Sequence, residues 1–163
     1  MTTVLVTGAN RGLGLEFVRQ YAEDGAEVIA CCREPVKAAA LAELAKIEKR
    51  VTVMALDVSD PSSVKALKAK LGDKAIDIAI NNAGISGPRG KVEGDYPFDE
   101  NLKVLAVNSL APVMMAYALR DNLKAGKEKK LVTITSQLGS IANHGGGVTG
   151  ALDPPMSVDT QPG

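Results

Sequence analysis

Residues 4–14 read Val4-Leu5-Val6-Thr7-Gly8-Ala9-Asn10-Arg11-Gly12-Leu13-Gly14. An apolar run ends in a glycine loop. The loop opens into a helix-period stretch with Leu15, Val18 and Ala22 on one face. The spacing Gly8-x-x-x-Gly12-x-Gly14 lets the backbone turn tightly and lets a phosphate approach a helix N-terminus. Free N–H groups and the helix dipole favour negative charge at that point. Glycine turns are common, so the pattern alone is weak, and a plain tight turn is the competing reading. The strand before it and the helix after it give the phosphate reading its weight.

Outward from this loop, short apolar runs alternate with helix-period stretches, the pattern of repeated βαβ units. Strands are expected at residues 3–7, 27–32, 51–56, 76–80 and 131–135. Helices are expected at 13–24, with Gly25 as its stop, and at 35–49, where Pro35 suits a first helical position. The buried stripe of that second helix is read as Val36, Ala40, Leu44 and Ile47. Asp60 followed by Pro61 announces a third helix, which Gly72 closes. A long helix covers 100–124, with a kink expected near Pro112. Right-handed crossovers arrange five parallel strands in the order 3-2-1-4-5, a Rossmann-like doubly wound α/β sheet. Ligand is expected at the switch between strands 1 and 4. Residues 1–142 are expected to form a single dinucleotide-binding domain around the glycine loop. Residues 143–163, with Gly145-Gly146-Gly147 and Pro154-Pro155, read as an irregular tail.

Composition narrows the class. At 163 residues the chain is one domain with room for a core. Nineteen basic residues balance nineteen acidic ones, which gives no reason to expect nucleic acid or an anionic membrane as partner. No apolar run is read as long enough for a membrane span. Met1-Thr2-Thr3 enters the first strand without a basic and apolar leader. The two cysteines, Cys31 and Cys32, are adjacent and poor material for a disulfide framework. A reducing, cytoplasmic setting is therefore expected. Cys31 and Cys32 read as strand packing and pocket lining rather than redox chemistry. His144 has no metal-ligand spacing around it, so no metal site is assigned. Residues 127–130 read as a solvated turn.

Four further motifs follow in order: Asp57 in Leu56-Asp57-Val58, Asn81-Asn82-Ala83-Gly84, Asn108 in Val107-Asn108-Ser109, and Ser136 in Thr135-Ser136-Gln137. With the glycine loop, they resemble the short-chain dehydrogenase/reductase family over about residues 3–147. Gly8-Ala9-Asn10-Arg11-Gly12-Leu13-Gly14 and Cys31-Cys32-Arg33-Glu34-Pro35 resemble its carbonyl-reductase and sniffer-like branch. The resemblance implies cofactor contacts at Gly8, Asn10, Arg11, Gly12, Leu13 and Gly14. It implies more at Arg33, Asp57, Val58, Asn82, Ala83 and Gly84. Asp57 would hydrogen-bond the adenine amino group, although an Asp at a strand end also serves as a cap for the next loop. Asn81 and Asn82 would tie neighbouring strands and contact the ribose, or else form a turn with no ligand role.

The adenosine ribose should lie by Cys31-Cys32-Arg33. An acid there would hold the 2′-hydroxyl of NAD and repel a 2′-phosphate. No acid sits at 31–33, and Arg33 can pair a phosphate bidentately, with Arg11 as a second cation. NADP is favoured over NAD on that ground. The alternative is that both arginines are solvated surface charges.

The resemblance also implies chemistry: hydride transfer between nicotinamide and a carbonyl or secondary alcohol, with Ser136 orienting the substrate oxygen and Asn108 supporting the site. In the family, a tyrosine with a lysine four residues on moves the proton; the lysine lowers a phenol pKa of about 10. No Tyr-x-x-x-Lys occurs here: Tyr21, Tyr96 and Tyr117 are followed at four by Gly25, Glu100 and Asp121. The tyrosine is expected near Val148. One hypothesis is that an internal stretch carrying that helix is missing. Two functions stay open: an NADP-dependent oxidoreductase acting on a small carbonyl or alcohol, and a catalytically incomplete NADP(H)-binding remnant without turnover. A Rossmann methyltransferase is disfavoured by the 81–84 tetrad and Arg33. Homo-oligomers are possible, because Val113, Met114 and Met115 are expected to be exposed if that helix is absent.

Overall fold

The computed structural model describes residues 1–88 and 97–136. Five parallel strands form one sheet in the order β3-β2-β1-β4-β5, as expected. β1 is Thr3–Thr7, β2 Glu27–Cys32, β3 Val51–Ala55, β4 Ile78–Asn81 and β5 Lys130–Thr133. The helices are α1 Gly12–Glu23, α2 Ala39–Ile47, α3 Pro61–Leu71, α4 Phe98–Leu105 and α5 Ala111–Ala125.

The period-2 alternation of the central strands divides the core between two faces. Val4, Val6, Val28 and Ala30 point to the side covered by Val18 and Ala22 of α1 and Leu41 of α2. Leu5, Ile29 and Ala79 point to the other side, where Val64 and Leu67 of α3 meet Met115 and Leu119 of α5. Each fully buried Leu, Ile or Met contributes about 1.5–3 kcal/mol relative to exposure. With both faces covered, β1 is buried along its whole length. β5, at the sheet edge, is exposed throughout.

Several expectations are corrected. No continuous helix runs from Pro35. A 3-10 turn covers Pro35–Lys37, and α2 starts only at Ala39. Ala38 lies between them at φ −90° and ψ 66°, outside helical geometry, so the phase of the stripe changes. Ala38 and Leu41 are buried instead, while Val36 is 95% exposed and Ile47 74%. β4 starts at Ile78 rather than residue 76. β5 ends at Thr133 rather than residue 135. The long helix is interrupted at the expected place, by a π-helical turn over Ala106–Leu110 just before Pro112. Proline has no N–H to give the Asn108 carbonyl, and the widened turn absorbs the mismatch. Of the expected exposed trio, Val113 is exposed, but Met115 is fully buried against the sheet.

The reading of apolar runs is corrected too. Phe98–Ala125 spans 28 residues and holds a stretch long and apolar enough, by length and composition only, to cross a membrane. Asp99, Glu100 and Lys103 stand before its most apolar part, and Asn108 interrupts it. The same composition serves a helix packed on a sheet, as α5 is through Met115, Leu119 and Leu123. The division at residue 142, the irregular tail and His144 fall outside the described residues.

Asp77 ties the lower end of the sheet together. It is 6% exposed. Its Oδ2 accepts from the Thr3 N–H at 2.7 Å and its Oδ1 from the Lys127 N–H at 2.6 Å. β1, β4 and the turn before β5 thus meet on one carboxylate. Those N–H donors, Thr3 first, hold its pKa below the ordinary carboxylate range. Beside it, the Asn122 amide donates to the carbonyls of Gly72 at 3.0 Å and Lys74 at 2.7 Å.

Asp77→Asn is expected to destabilise the chain by roughly 2–3 kcal/mol, since an amide nitrogen cannot accept. With its folded pKa depressed, Asp77 contributes its full stabilisation above the unfolded value of about 4. That contribution is lost as pH falls through the folded pKa. Urea unfolding from pH 7 down to pH 3 should show a smaller loss for D77N than for the unchanged chain. Parallel profiles would refute the role.

Candidate functional site

β1 and β4 are neighbours, with Val4 opposite Ile78 and Val6 opposite Ile80. Their outgoing loops lead to helices on opposite faces, so a crevice opens between them. The Thr7 side chain closes its floor. Its Oγ1 accepts from the N–H of Asn82 at 3.0 Å and of Ala83 at 3.1 Å. The same hydroxyl donates to the Ile80 carbonyl at 3.3 Å. In return the Asn82 amide donates to the carbonyls of Thr7 at 3.0 Å and Gly8 at 3.2 Å.

Two glycines are needed at this junction. Gly8 has φ +67°, and a Cβ there would sit 2.8 Å from Ala83 Cα. A Cβ on Gly14 would collide with the Gly8 carbonyl and the Asn82 amide. By contrast, a Cβ on Gly12 would meet nothing within 4 Å, so the loop faces open space there.

The crevice is a cleft of about 370 Å³. Gly8, Asn10, Arg11, Gly12, Leu13 and Gly14 form one wall. Cys32, Arg33 and Ala38 stand at the end of β2, with Asp57 and Val58 beyond β3. Asn82, Ala83 and Gly84 form the opposite wall. All twelve residues expected at a cofactor site therefore border one cleft.

Six further cleft residues were given no role in the sequence: Glu34, Lys37, Ala38, Leu56, Ile85 and Val107. Glu34 and Lys37 form an ion pair at 2.5 Å. Their i,i+3 spacing just after Arg33 was the available signal.

α1 begins in an unusual way. Arg11 is its N-cap residue, makes no side-chain capping bond, and no acid stands in the first turn. The positive end of the helix dipole thus borders the cleft with no acid in its own first turn and with Arg11 at its cap. Asp57 caps its own loop: Oδ1 accepts from the Ser59 N–H at 2.9 Å and the Ser59 hydroxyl at 2.6 Å. The capping alternative is thus realised while the residue still borders the cleft. Cys31 is wholly buried, and burial pushes its thiol up to about 12. Burial also raises Cys32. Both stay protonated at neutral pH, consistent with packing rather than nucleophilic chemistry.

The two expected catalytic residues stand outside the cleft lining. Asn108 lies in the π turn, accepts from the Ile85 N–H at 3.0 Å and donates to the Ile85 carbonyl at 2.9 Å. It fixes the loop after β4. Ser136 lies three residues beyond Thr133, which is paired with Asn81. It therefore leaves the same edge of the sheet as the 81–84 tetrad. Asn81 itself reaches across to β5, its amide donating to the Thr133 hydroxyl at 3.5 Å. The position near Val148, where a tyrosine was sought, lies outside the described residues. Among the described residues no cluster of His, Cys, Asp and Glu could hold a metal.

Comparison with known proteins gives a consistent picture. Residues 2–151 match the family model for short chain dehydrogenase. Retinol dehydrogenase 5 of Mus musculus is 33% identical over 151 residues, covering 88% of this chain and 45% of that protein. A short-chain dehydrogenase/reductase structure from Burkholderia multivorans with bound NADP superposes with a TM-score of 0.79 at 27% identity. It covers 90% of this chain and 63% of its own. The carbonyl reductase Sniffer of Caenorhabditis elegans superposes at 0.78 with 30% identity, covering 91% and 70%. The chain spans about half the length of the curated relatives it matches.

Thr7→Val keeps the shape of residue 7 but leaves two N–H groups without their acceptor. It should cost about 2–3 kcal/mol in chemical denaturation, with Thr7→Ser much closer to the unchanged chain. A T7V chain within ~0.5 kcal/mol of the original would remove the hydroxyl from this account.

Proposed function

The chain belongs to the short-chain dehydrogenase/reductase family, and we propose that it holds NADP(H) in the cleft between β1 and β4. The observation that carries this reading is the start of α1: an N-terminus with no side-chain cap, no first-turn acid, and Arg11 in the cap position. The residues fit a dinucleotide. Gly8 and Gly14 let the loops after β1 and β4 close on each other, and Gly12 leaves the outer face of its loop clear for a diphosphate. Free N–H groups of the first turn meet its oxygens.

Arg11 and Arg33 border the same cleft and supply pairing for a 2′-phosphate. The NADP bound to the Burkholderia multivorans neighbour supports the choice over NAD. Asp57 and Val58 take the adenine end. Asn10, Gly12 and Leu13 take the diphosphate, and Asn82, Ala83 and Gly84 the second ribose. Residues 1–142 are the unit that does this, with residues 143–163 outside it.

The bound cofactor supplies a hydride donor or acceptor. The substrate class proposed is a small carbonyl compound or secondary alcohol, as in a carbonyl reductase. Ser136, leaving the sheet beside the 81–84 tetrad, orients the substrate oxygen. Asn108 holds the Ile85 loop against which the nicotinamide end rests. A second reading is favoured by one feature of the sequence: no Tyr-x-x-x-Lys occurs in it, so it offers no proton-transfer pair. Under that reading the chain holds NADP(H) without turnover. A cytoplasmic setting completes the proposal. So does self-association through Leu102, Leu105, Leu110, Val113 and Tyr117, which are exposed along the long helix.

NADPH is expected to bind more tightly than NADH in a fluorescence titration. Arg33→Ala should weaken NADPH by about 10- to 100-fold and NADH by less than about threefold. Equal binding of the two cofactors, or an R33A effect shared by both, would defeat the NADP assignment. NADPH consumption with a panel of aldehydes and ketones then separates the two readings. Turnover supports the oxidoreductase, and tight binding without turnover supports the cofactor-holding chain.

A further inference from the structure

One acid does stand at the end of β2, although none occupies 31–33. Glu34 borders the cleft immediately after Arg33. A carboxylate at this place would favour ribose hydroxyls and repel a 2′-phosphate, against the pull of Arg33 and Arg11. The structure shows what becomes of it. Lys37 borders the same cleft, and its Nζ lies 2.5 Å from Glu34 Oε1.

The backbone between the two residues is not free. Pro35 occupies the first position of the 3-10 turn, which sets its φ. The Lys37 N–H donates to the Glu34 carbonyl at 3.0 Å and the Ala38 N–H to the Pro35 carbonyl at 3.1 Å. Glu34 precedes the turn in an open backbone conformation, and the turn brings the chain back within three residues, so that the Lys37 side chain meets the Glu34 carboxylate. Asp57 also borders the cleft, its Oδ1 accepting from the Ser59 N–H and hydroxyl. Glu34 is the cleft acid next to Arg33 along the chain, and Lys37 is placed to neutralise it.

We propose that the Glu34–Lys37 pair is a cofactor-selectivity lock, in which Lys37 holds the Glu34 carboxylate neutralised so that Arg11 and Arg33 accept a 2′-phosphate. This rests on the NADP(H) reading above and adds to it two specificity-determining residues. Lys37 acts here through Glu34, not as a third phosphate ligand. The two mechanisms differ in a double-variant cycle.

NADPH and NADH affinities would be titrated for the unchanged chain and for K37A, E34Q and E34Q/K37A. Both side chains are more than half exposed, so the fold should tolerate each change, and thermal unfolding midpoints check this. A freed carboxylate beside a doubly charged phosphate should weaken NADPH in K37A by about tenfold and NADH by less than about threefold. E34Q/K37A should return NADPH affinity to within about threefold of the unchanged chain, and E34Q alone should bind NADPH at least as tightly. A double variant as weak as K37A would overturn the lock and make Lys37 a simple phosphate cation. A K37A within twofold of the original would overturn any role for the pair. If the unchanged chain prefers NADPH and loses it in R33A, such results sink the lock alone. If the unchanged chain binds neither cofactor, the NADP(H) reading falls and the lock falls with it.

Discussion

The exchange of hydrogen bonds between Thr7 and Asn82 is the joint on which the rest of the site depends. β1 and β4 end side by side, and beyond them the chain must leave toward opposite faces of the sheet. At that edge the N–H groups of Asn82 and Ala83 and the carbonyls of Thr7 and Gly8 have no strand to pair with. Two side chains satisfy all four. Buried backbone groups left alone would be costly, so this exchange is what permits the strands to part. The cleft is the gap it holds open. Gly8 and Gly14 are consequences of the same joint, because side chains there would drive the two loops apart.

A second conflict sits directly above the joint. A cation at the N-cap of a helix is unfavourable by itself, and α1 carries Arg11 there with no acid in its first turn. Local rules broken without compensation inside the chain tend to mark functional sites. Here the compensation is expected from outside, as an anion. The rim of the cleft continues the theme with Arg33, Lys37 and the paired Glu34. Net charge says nothing of this, since the chain is neutral as a whole.

The far wall depends on a proline. Pro112 cannot donate to the Asn108 carbonyl, and the π turn at Ala106–Leu110 takes up the difference. That turn puts Val107 on the cleft and the Asn108 amide on both backbone atoms of Ile85. The helix therefore buries Met115 and Leu119 against the sheet while its α4 end and outer face, from Phe98 to Tyr117, stay exposed. The same apolar character that satisfies a length-and-hydropathy test for a membrane helix is spent partly on the core.

Most of the sheet and the larger part of the cleft lining could be read from the sequence, because both rest on local signals. Alternating apolar runs announce strands, Asp60-Pro61 announces a helix start, and glycines at fixed spacing announce a tight strand-to-helix turn. Strand order followed from the handedness of crossovers. What local signals could not supply was phase and partnership. Pro35 looked like the start of an α-helix, and only packing decided that a 3-10 turn precedes α2 and buries Leu41 while leaving Val36 in solvent. Asp77 looked like part of a strand, and only the meeting of β1, β4 and the turn before β5 made it their shared acceptor. Glu34 and Lys37 are three apart in the sequence, but only the turn after β2 brings the two side chains together on the cleft. The sequence by itself determined the order of elements and the chemistry of the loop, since those depend on neighbours along the chain. The tertiary structure alone decided which side chains are spent on holding loops apart and which remain to face a ligand, since that depends on neighbours in space.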